Sequence, residues 1–485
     1  ALLGKRHKHR RVRIMVTLPT EAAMDPSITD ELIKRGMDCA RINCAHDNDT
    51  TWAAMIRNVR KAGKKYAREI RIAMDLGGPK IRTGPIQPGP EVRRLSPKKD
   101  SFGRVISPAR ILFTEKLDSS SPSYAVPVDR NWLNELVPGD RLRVTDTRER
   151  DALIEIAAKT DEGILAHSYT TVYFGSDTIL TPERPDLSAM RVSHIPPTEQ
   201  FLRLKPGDAI ILHRSQMNGE PTLYDEEGNL LQDAHLSCTF PEIFGIIEQG
   251  EKIFFDDGKI GGIVEETGDG YMKVRIERAR HTGTKLKADK GINFPDLKRP
   301  LTGLTSKDRE DLKFVVDNAD IVNVSFVNRP DDVRELIKIL RHMEAGKKLG
   351  ITLKIETQEA FNNLPEILLT AMQLHPIGVM IARGDLAVEV GWDEIGRIQQ
   401  EILGICNAAH VPVIWATQVL ESLAKKGLPS RSEITDATQG LKAECVMLNK
   451  GPYTHRAVSL LDKIFTDMEF YQSRNEALFP PLKKA

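Results

Sequence analysis

Short runs of β-branched and apolar residues alternate with longer segments of helical period at both ends of the chain, and this alternation restricts the fold most. The predicted strands are 13–18, 39–44, 71–76, 321–326, 351–356, 378–383, 412–417 and 445–449. The predicted helices are 26–35, 51–62, 306–317, 331–345, 365–373, 392–409, 431–441 and 455–473. Eight strand–helix units over about 260 residues come close to the roughly 250 residues typical of a (β/α)8 barrel. We therefore predict an α/β fold of the TIM-barrel class rather than an open doubly wound sheet, because no glycine-rich turn follows the first strand.

The stretch between the third and fourth predicted strands interrupts this alternation. Turn residues become dense from 77 to 90, and a pattern of short strands continues to about residue 288. We expect an all-β domain inserted into the barrel after its third strand. The predicted parts are a basic lead-in (1–12), a first barrel part (13–87), an inserted β-rich lid domain (88–288), a second barrel part (289–474) and a C-terminal tail (475–485).

Charge and cysteine usage exclude several classes of protein. The 69 Lys and Arg residues nearly balance 68 Asp and Glu residues, so no overall field attracts nucleic acid or an anionic membrane. Five scattered cysteines without a CxxC pair argue against a disulfide framework or a zinc cage. We interpret the basic stretch 5–13 as a solvated lead-in rather than a nucleic-acid arm, because no aromatic residues interleave with its charges. We expect a cytoplasmic location, although the sequence starts at Ala1 and leaves a removed leader open.

Polar side chains collect at the carboxyl ends of the predicted strands, where barrel enzymes place their active sites. They are Arg41, Asn43, Asp75, Ser325, Lys354, Glu356, Arg383, Asp385 and Thr417. Glu356 and Asp385 end neighbouring strands, so their carboxylates could converge on one hard divalent cation. Lys354 lies two residues before Glu356 and is therefore expected on the same face of its strand.

The cations of this set indicate an anionic substrate. A buried Lys354 would supply positive charge to an anionic transition state, and the planar fork of Arg41 suits a phosphate or a carboxylate. The alternative is that these residues form structural ion pairs that close the barrel rim. The set as a whole favours a site for a small phosphorylated or carboxylated molecule.

Ten motifs in a fixed order make both barrel parts resemble the pyruvate kinase family. The first five are GMDCARINCAH (36–46), DLGGPKIRTG (75–84), FDDGKI (255–260), KGINFP (290–295) and LTSKDREDLKF (304–314). The others are VSFV (324–327), LKIET (353–357), MIARGDLAVEV (380–390), WATQVLES (415–422) and PSRSEITD (429–436). The resemblance implies a kinase that transfers the phosphoryl group of phosphoenolpyruvate to ADP, giving pyruvate and ATP.

The resemblance also implies a role for each site residue. The positions that match the family's Mg²⁺ ligands, for which Mn²⁺ is an alternative ion, are Glu356 and Asp385. The positions that match its catalytic and substrate-binding residues are Lys354, Arg41, Thr417, Gly384 and Asp385. The positions that match residues lining the nucleotide phosphates are Asn43, His46, Arg82 and Lys290.

The monovalent-cation region of the family is matched here by Asn43, Asp75 and Lys80. Differences from the family pattern in and around this region predict activity without K⁺. Family members that need K⁺ typically carry glutamate where this chain has Lys80, and the ammonium group can supply the charge of the bound ion. Ala45 and Leu76 stand where the family usually has serine and threonine, so hydroxyl oxygens that a hard cation would want are missing.

Two other functions stay open at this point. A metal-dependent lyase or aldolase acting through a pyruvate enolate would use a similar metal site, and a catalytically quiet regulatory homologue would fit the altered loops. Arg82 and Lys290 favour the kinase, because a lyase needs no contacts to nucleotide phosphates. A homo-oligomer through the barrel faces is a further option. We also expect no sugar-bisphosphate activation at a C-terminal regulatory domain, since the sequence shows none after residue 473.

Overall fold

Eight parallel strands close into a barrel in the computed structural model, which describes residues 2–5, 9–117, 121–295, 297, 303–343, 349–374 and 376–476. In chain order they are β1 (Arg13–Thr17), β2 (Cys39–Asn43), β3 (Arg71–Asp75), β4 (Ile321–Val324), β5 (Gly350–Ile355), β6 (Ile377–Ala382), β7 (Val413–Ala416) and β8 (Cys445–Leu448). Each strand pairs with the next, and β8 closes the barrel against β1 with Met447 opposite Met15. The predicted TIM-barrel fold is confirmed.

Helices follow the strands around the barrel. They are α1 (Pro26–Lys34), α2 (Asp49–Lys65), α3 (Ser306–Asn318), α4 (Pro330–His342), α5 (Gln358–Asn362), α6 (Leu364–Ala371), α7 (Arg383–Val390), α8 (Ile395–Ala408), α9 (Glu421–Lys426), α10 (Arg431–Gln439) and α11 (Thr454–Glu476). Short 3₁₀ turns are Thr20–Ala23, Pro241–Gly245 and Gly440–Lys442. Helices α5, α7 and α9 have no counterpart among the predicted helices, because segments of five to eight residues are too short to show a helical period.

The first turn of α3 holds the loop that follows β3. Thr305 and Asp308 form a capping box, in which each side chain accepts a hydrogen bond from the other residue's backbone N–H. The second carboxylate oxygen of Asp308 accepts a hydrogen bond from the N–H of Gly78 at 3.1 Å. Gly78 has a φ of +68°, and a Cβ at this position would lie 2.7 Å from the Cβ of Ser325. Glycine is therefore required for the loop to approach the end of β4.

Packing divides the chain into two compact units. One comprises Ala1–Pro85, Arg203–Met217 and Pro221–Ala485, and the other comprises Ile86–Leu202 and Asn218–Glu220. The first contains the barrel and a six-stranded sheet with the order Ala234–Ser237, Ala209–His213, Tyr271–Arg278, Ile260–Gly268, Lys252–Phe255 and Ile292–Asn293. The segment 88–288, predicted as one inserted domain, thus contributes to both units, and its boundaries stay a prediction.

The second unit has a hydrophobic core of its own. Its seven-stranded sheet has the order Met190–Arg191, Ile179–Pro182, Arg141–Thr145, Asp151–Thr160, Gly163–Ser168, Ala109–Thr114 and Ala125–Pro127. Phe113 packs edge-on against both Trp132, in the helix Arg130–Glu135, and Phe174. The remaining short strands of the chain are Val92–Leu95, Lys98–Lys99, Val105–Ser107, Val172–Gly175, Leu202–Leu204, Leu223–Tyr224, Leu230–Gln232 and Thr284–Leu286.

The interpretation of the basic lead-in as solvated is wrong for Arg10. Its side chain is buried and donates hydrogen bonds to Asp38 at 2.6 Å, to Asp462 at 2.7 Å, and to the carbonyl oxygens of Val12 and Gly36. The planar guanidinium group of arginine has five N–H donors and can therefore satisfy all four acceptors, so arginine is tolerated in the interior. Arg10 therefore joins the lead-in to the segment before β2 and to α11.

The helices that the structure describes do not suit a bilayer. Among them, every helix is too short or too polar to cross a bilayer. The predicted C-terminal tail, 475–485, lies outside the described residues from position 477 onward.

Candidate active site

Asp75 lies at the centre of the carboxyl-end cluster of the barrel. It is buried at the end of β3, and its Oδ2 accepts a hydrogen bond from Arg41 at 2.7 Å and lies 3.6 Å from the Nζ of Lys354. Its Oδ1 accepts a hydrogen bond from the amide of Asn323 at 2.5 Å. Arg41 also donates to the hydroxyl of Thr17 at 2.9 Å. The Asp75 carboxylate thus orients two cationic side chains, Arg41 of β2 and Lys354 of β5.

Lys354 and Glu356 project from the end of β5 on the same face, as their spacing predicts. The Nζ of Lys354 lies 3.0 Å from Glu356 Oε1 and donates to the hydroxyl of Ser325 at 2.7 Å. Ser325 in turn donates to the carbonyl oxygen of Leu76 at 2.8 Å, and Glu356 accepts from the backbone N–H of Phe326 at 2.7 Å. Both site residues are therefore held by the loops that follow β3 and β4.

The buried charges shift one another's pKa values. Burial raises the pKa of Asp75, but the charges of Arg41 and Lys354 outweigh it and leave this pKa below its usual value. Burial keeps the pKa of Glu356 above its usual value, with the charge of Asp385 adding to it and that of Lys354 opposing it. Asp75 is thus compensated by cations, whereas Glu356 lacks sufficient compensating charge and would be stabilised by a further cation.

Asp385, in the first turn of α7, carries an ion pair with Lys80. The Nζ of Lys80 lies 2.9 Å and 3.0 Å from the two carboxylate oxygens. Burial raises the pKa of Asp385, but the charge of Lys80 outweighs it and a hydrogen bond from Asn293 also lowers it, so this pKa lies below its usual value. Asp385 is therefore ionised, with its two oxygens facing a cation.

Thr417 lies beside Gly384 at the end of β7. Its Oγ1 accepts a hydrogen bond from the backbone N–H of Gly384 at 2.7 Å. Thr417, Gln418 and Leu420 all have positive φ angles, of +64°, +57° and +47°. Such angles in residues other than glycine are strained, and they cluster where the surrounding structure requires one conformation.

Among the four residues matched to the nucleotide phosphates, Asn43 ends β2 directly opposite Asp75, and the other three lie outside the barrel strands. Arg82 donates to the carbonyl oxygen of Asp289 at 3.1 Å, and the Nζ of Lys290 lies 3.4 Å from Asp256. His46 has a lowered pKa because of its burial and the nearby charges of Lys450 and Arg82. The side chain of Asn43 accepts a hydrogen bond from the N–H of Ala45 at 3.1 Å.

Arg383 differs from the other residues predicted at the strand ends. Its guanidinium group forms a two-pronged ion pair with Asp436, donates to the carbonyl oxygens of Ala416 and Thr417, and lies 4.3 Å from the ring centroid of Trp415. These partners use its donors within the protein. For Arg383 the alternative reading of a structural ion pair therefore holds.

Comparison with known proteins assigns the chain to a family. The family model for the barrel domain of pyruvate kinase matches residues 9–106 and 190–458, which is more than half of the chain. The chain belongs to the pyruvate kinase family. The resemblance inferred from the ten motifs is thereby confirmed.

Three curated proteins illustrate the similarity. The pyruvate kinase of Debaryomyces hansenii is 36% identical over 237 residues, covering 47% of this chain and 45% of that protein. Pyruvate kinase 2 of Candida glabrata is 34% identical over 248 residues, covering 50% and 47%. The pyruvate kinase of Staphylococcus aureus is 30% identical over 285 residues, covering 57% and 45%. The chain thus spans about half the length of the curated relatives it matches.

The pyruvate kinase motifs do not by themselves reveal two polar residues that the structure adds to the site. Asn323 donates to Asp75, and Asn293 donates to Glu389 at 3.3 Å and to Asp385. The signal for Asn323 was present, since an asparagine inside the apolar strand IVNV needs a buried partner. Asn293 lies in the distant motif KGINFP, and its spacing in the sequence carries no sign of this contact.

The donor set fits the divalent cation that pyruvate kinase chemistry implies. Within the described residues no cluster of three or more His, Cys, Asp or Glu side chains is arranged for a metal. A Mg²⁺ site needs no such cluster, because Mg²⁺ commonly takes one or two carboxylates and completes its shell with water and substrate oxygens. Glu356, which is buried, and Asp385, whose side chain is 15% exposed, are neighbouring carboxylates and meet this requirement.

Proposed function

We propose that this protein is a phosphotransferase that moves the phosphoryl group of phosphoenolpyruvate to ADP, giving pyruvate and ATP. The main support is the arrangement of Arg41 and Lys354, two cations held on one buried carboxylate, Asp75, at the carboxyl end of the barrel. Membership of the pyruvate kinase family and relatives with that name support the same conclusion. The site therefore suits a small substrate that carries both a phosphate and a carboxylate.

The reaction needs positioning and charge neutralisation more than covalent help. The bond between phosphorus and the enol oxygen breaks, a bond from phosphorus to a terminal oxygen of ADP forms, and the remaining enolate takes one proton at carbon. In this proposal Arg41 binds the substrate phosphate and Lys354 stabilises charge on the phosphoryl group and on the enolate oxygen. Thr417 lies beside the carbon that is protonated, and the backbone of Gly384 and Asp385 orients the substrate.

Glu356 and Asp385 would hold Mg²⁺ or Mn²⁺. The ion supplies positive charge that neutralises substrate and nucleotide oxygens. Ion pairing with Lys354 and Lys80 keeps both carboxylates in place before the ion binds, and Asn43, His46, Arg82 and Lys290 are assigned to the nucleotide phosphates.

We also propose that the reaction does not require K⁺. The ammonium group of Lys80 lies 2.9 Å from Asp385 Oδ1, and the side chains of Ala45, which is exposed, and Leu76, which is buried, offer a cation no oxygen ligand. A lysine here supplies the charge that a monovalent cation would otherwise bring.

A coupled assay for pyruvate and ATP tests the proposal. Purified protein is incubated with phosphoenolpyruvate, Mg²⁺ and a panel of nucleoside diphosphates, and pyruvate and nucleoside triphosphate are measured separately. Equal amounts of both products support phosphoryl transfer. Pyruvate formation without nucleoside triphosphate would mean that water takes the phosphoryl group, and it would contradict the proposal. Cleavage of a carbon–carbon bond in a pyruvate-containing substrate would indicate the lyase class, and a folded protein without turnover would indicate the regulatory homologue.

A further inference from the structure

Two exposed β-hairpins of this chain share one turn geometry. In the first, 98–107, the N–H of Asp100 bonds the carbonyl oxygen of Arg104 at 2.8 Å, and the Asp100 carboxylate accepts from the N–H groups of Phe102 and Arg104 at 2.9 and 2.8 Å. In the second, 223–232, Asp225 makes the equivalent bonds to Asn229 and Glu227, at 2.7 to 3.0 Å. Both tips are therefore ordered before any partner binds.

Both hairpins expose large apolar side chains in or near these turns. Phe102 and Ile106 of the first are 85% and 70% exposed, and Tyr224 and Leu231 of the second are 58% and 66% exposed. Large apolar side chains that remain open to water on one short hairpin are typical of a protein interaction surface.

The two hairpins carry opposite charges around these apolar residues. The first has Lys98, Lys99 and Arg104, and the second has Glu226 and Glu227 beside Asp225. Within the part of the chain that the structure describes, Lys98, Lys99, Arg104 and Glu226 form no salt bridge. These side chains are therefore free to meet the opposite charge of another surface.

A third hairpin shows that the turn alone does not demand these features. The N–H of Asp146 bonds the carbonyl oxygen of Arg150 at 2.9 Å, and its carboxylate accepts from the N–H groups of Arg148 and Arg150. The residues that flank this turn are Thr145 and Asp151, which are polar. The turn geometry therefore does not require the exposed apolar residues of the other two hairpins.

We propose that the hairpin 98–107 of one copy of this chain binds the hairpin 223–232 of a second copy. Apolar side chains of both tips would cover one another while the basic and acidic residues around them pair. The second copy is favoured as the partner because one chain carries both complementary surfaces. A polyanion or an anionic membrane would match the first hairpin alone, repel the second, and leave Tyr224 and Leu231 exposed.

Sedimentation velocity of the full chain over roughly 1 to 100 µM tests this proposal. We expect the mass to increase with concentration. The triple variant Lys98→Glu, Lys99→Glu, Arg104→Glu and the double variant Glu226→Lys, Glu227→Lys should each raise the dissociation constant about tenfold or more. Phe102→Ser should raise it similarly without changing a charge. Arg150→Glu, in the polar third hairpin, is the control and should leave it unchanged.

Mixing the two charge variants gives the sharpest outcome. In an equimolar mixture an acidic first hairpin meets a basic second hairpin and the reverse, so association between unlike chains should return. Circular dichroism and thermal melting show that each variant is folded before it is compared. The proposal is overturned if the wild type stays monomeric throughout, if the charge variants associate as the wild type does, or if the mixture fails to associate. It is also overturned if anionic vesicles or nucleic acid bind the wild type while its mass stays that of one chain.

Discussion

Lys80 and Asp385 form a two-pronged ion pair, with the lysine Nζ 2.9 Å from one carboxylate oxygen and 3.0 Å from the other. The two residues are 305 positions apart in the sequence. Lys80 follows β3 and Asp385 follows β6, so the pair spans the carboxyl end of the barrel. A fixed positive charge thus lies directly on a carboxylate that we assign to the divalent cation.

The first prediction concerns the monovalent cation. Turnover of the wild type in buffer with tetramethylammonium as the monovalent cation should equal turnover in K⁺, because Lys80 already supplies the charge. Lys80→Glu should lower turnover about tenfold or more. Added K⁺ should fail to restore it, whereas the triple variant Lys80→Glu, Ala45→Ser, Leu76→Thr should respond to K⁺ because it regains hydroxyl ligands. Strong K⁺ activation of the wild type would contradict this assignment.

The second prediction concerns Lys354. Lys354→Met should lower phosphoryl transfer by about 10² to 10³, because it removes positive charge from the transition state. It should also lower the free energy of unfolding by about 3 to 5 kcal/mol, because buried Glu356 loses its partner at 3.0 Å. Turnover and thermal melting measured on one preparation separate these effects. Arg60→Met, which removes a partner of Asp320 at the amino end of the barrel, is the control and should keep turnover near the wild-type value.

The third prediction concerns the divalent cation. Glu356→Gln and Asp385→Asn should each weaken Mn²⁺ binding about tenfold or more, because each removes a charged oxygen ligand. Free Mn²⁺ measured by electron paramagnetic resonance gives this affinity without any need for turnover. Asp311→Asn changes another buried carboxylate, whose partner is Lys307, and should leave the affinity unchanged. Wild-type affinity in both site variants would place the metal elsewhere.

The fourth prediction separates the two halves of the reaction. Thr417→Val should slow proton transfer to the enolate more than phosphoryl transfer, because it removes the hydroxyl beside the reacting carbon. Incorporation of solvent deuterium into the pyruvate methyl group, followed by NMR, measures proton transfer. ATP formation measures phosphoryl transfer. Thr417→Ser retains the acceptor for the Gly384 N–H and should keep most of the activity. An equal loss in both steps would show that Thr417 only positions the loop.

The fifth prediction concerns stability. Arg10→Met should lower the free energy of unfolding by about 3 kcal/mol, because it removes a fully buried cation that is shared by Asp38 and Asp462. Arg11→Met removes a partly exposed pair with Glu469 and should cost about 1 kcal/mol or less. Chemical denaturation with urea measures both values. Equal and small losses would mean that the Arg10 cluster contributes no more than a surface ion pair.

The sequence pattern predicted the strands and helices that are long enough to show a hydrophobic period. Strands of the barrel lie where β-branched runs were found, and Lys354 and Glu356 share a face because they are two residues apart in one strand. The short helices α5 and α9 left no such pattern. Asn323 could have been recognised from its apolar neighbours, because a buried amide requires a partner.

The partner of each charged residue was decided only by the tertiary structure. The sequence by itself determined the barrel, the polar strand ends and the family, because each depends on local spacing or on motifs in order. It could not determine that Lys80 meets Asp385, or that Arg10 is buried between Asp38 and Asp462. The physical reason is that local periodicity specifies which face of an element a side chain occupies. Closure of the barrel brings together residues that are hundreds of positions apart, and only this closure decides which opposite charges come within hydrogen-bond distance.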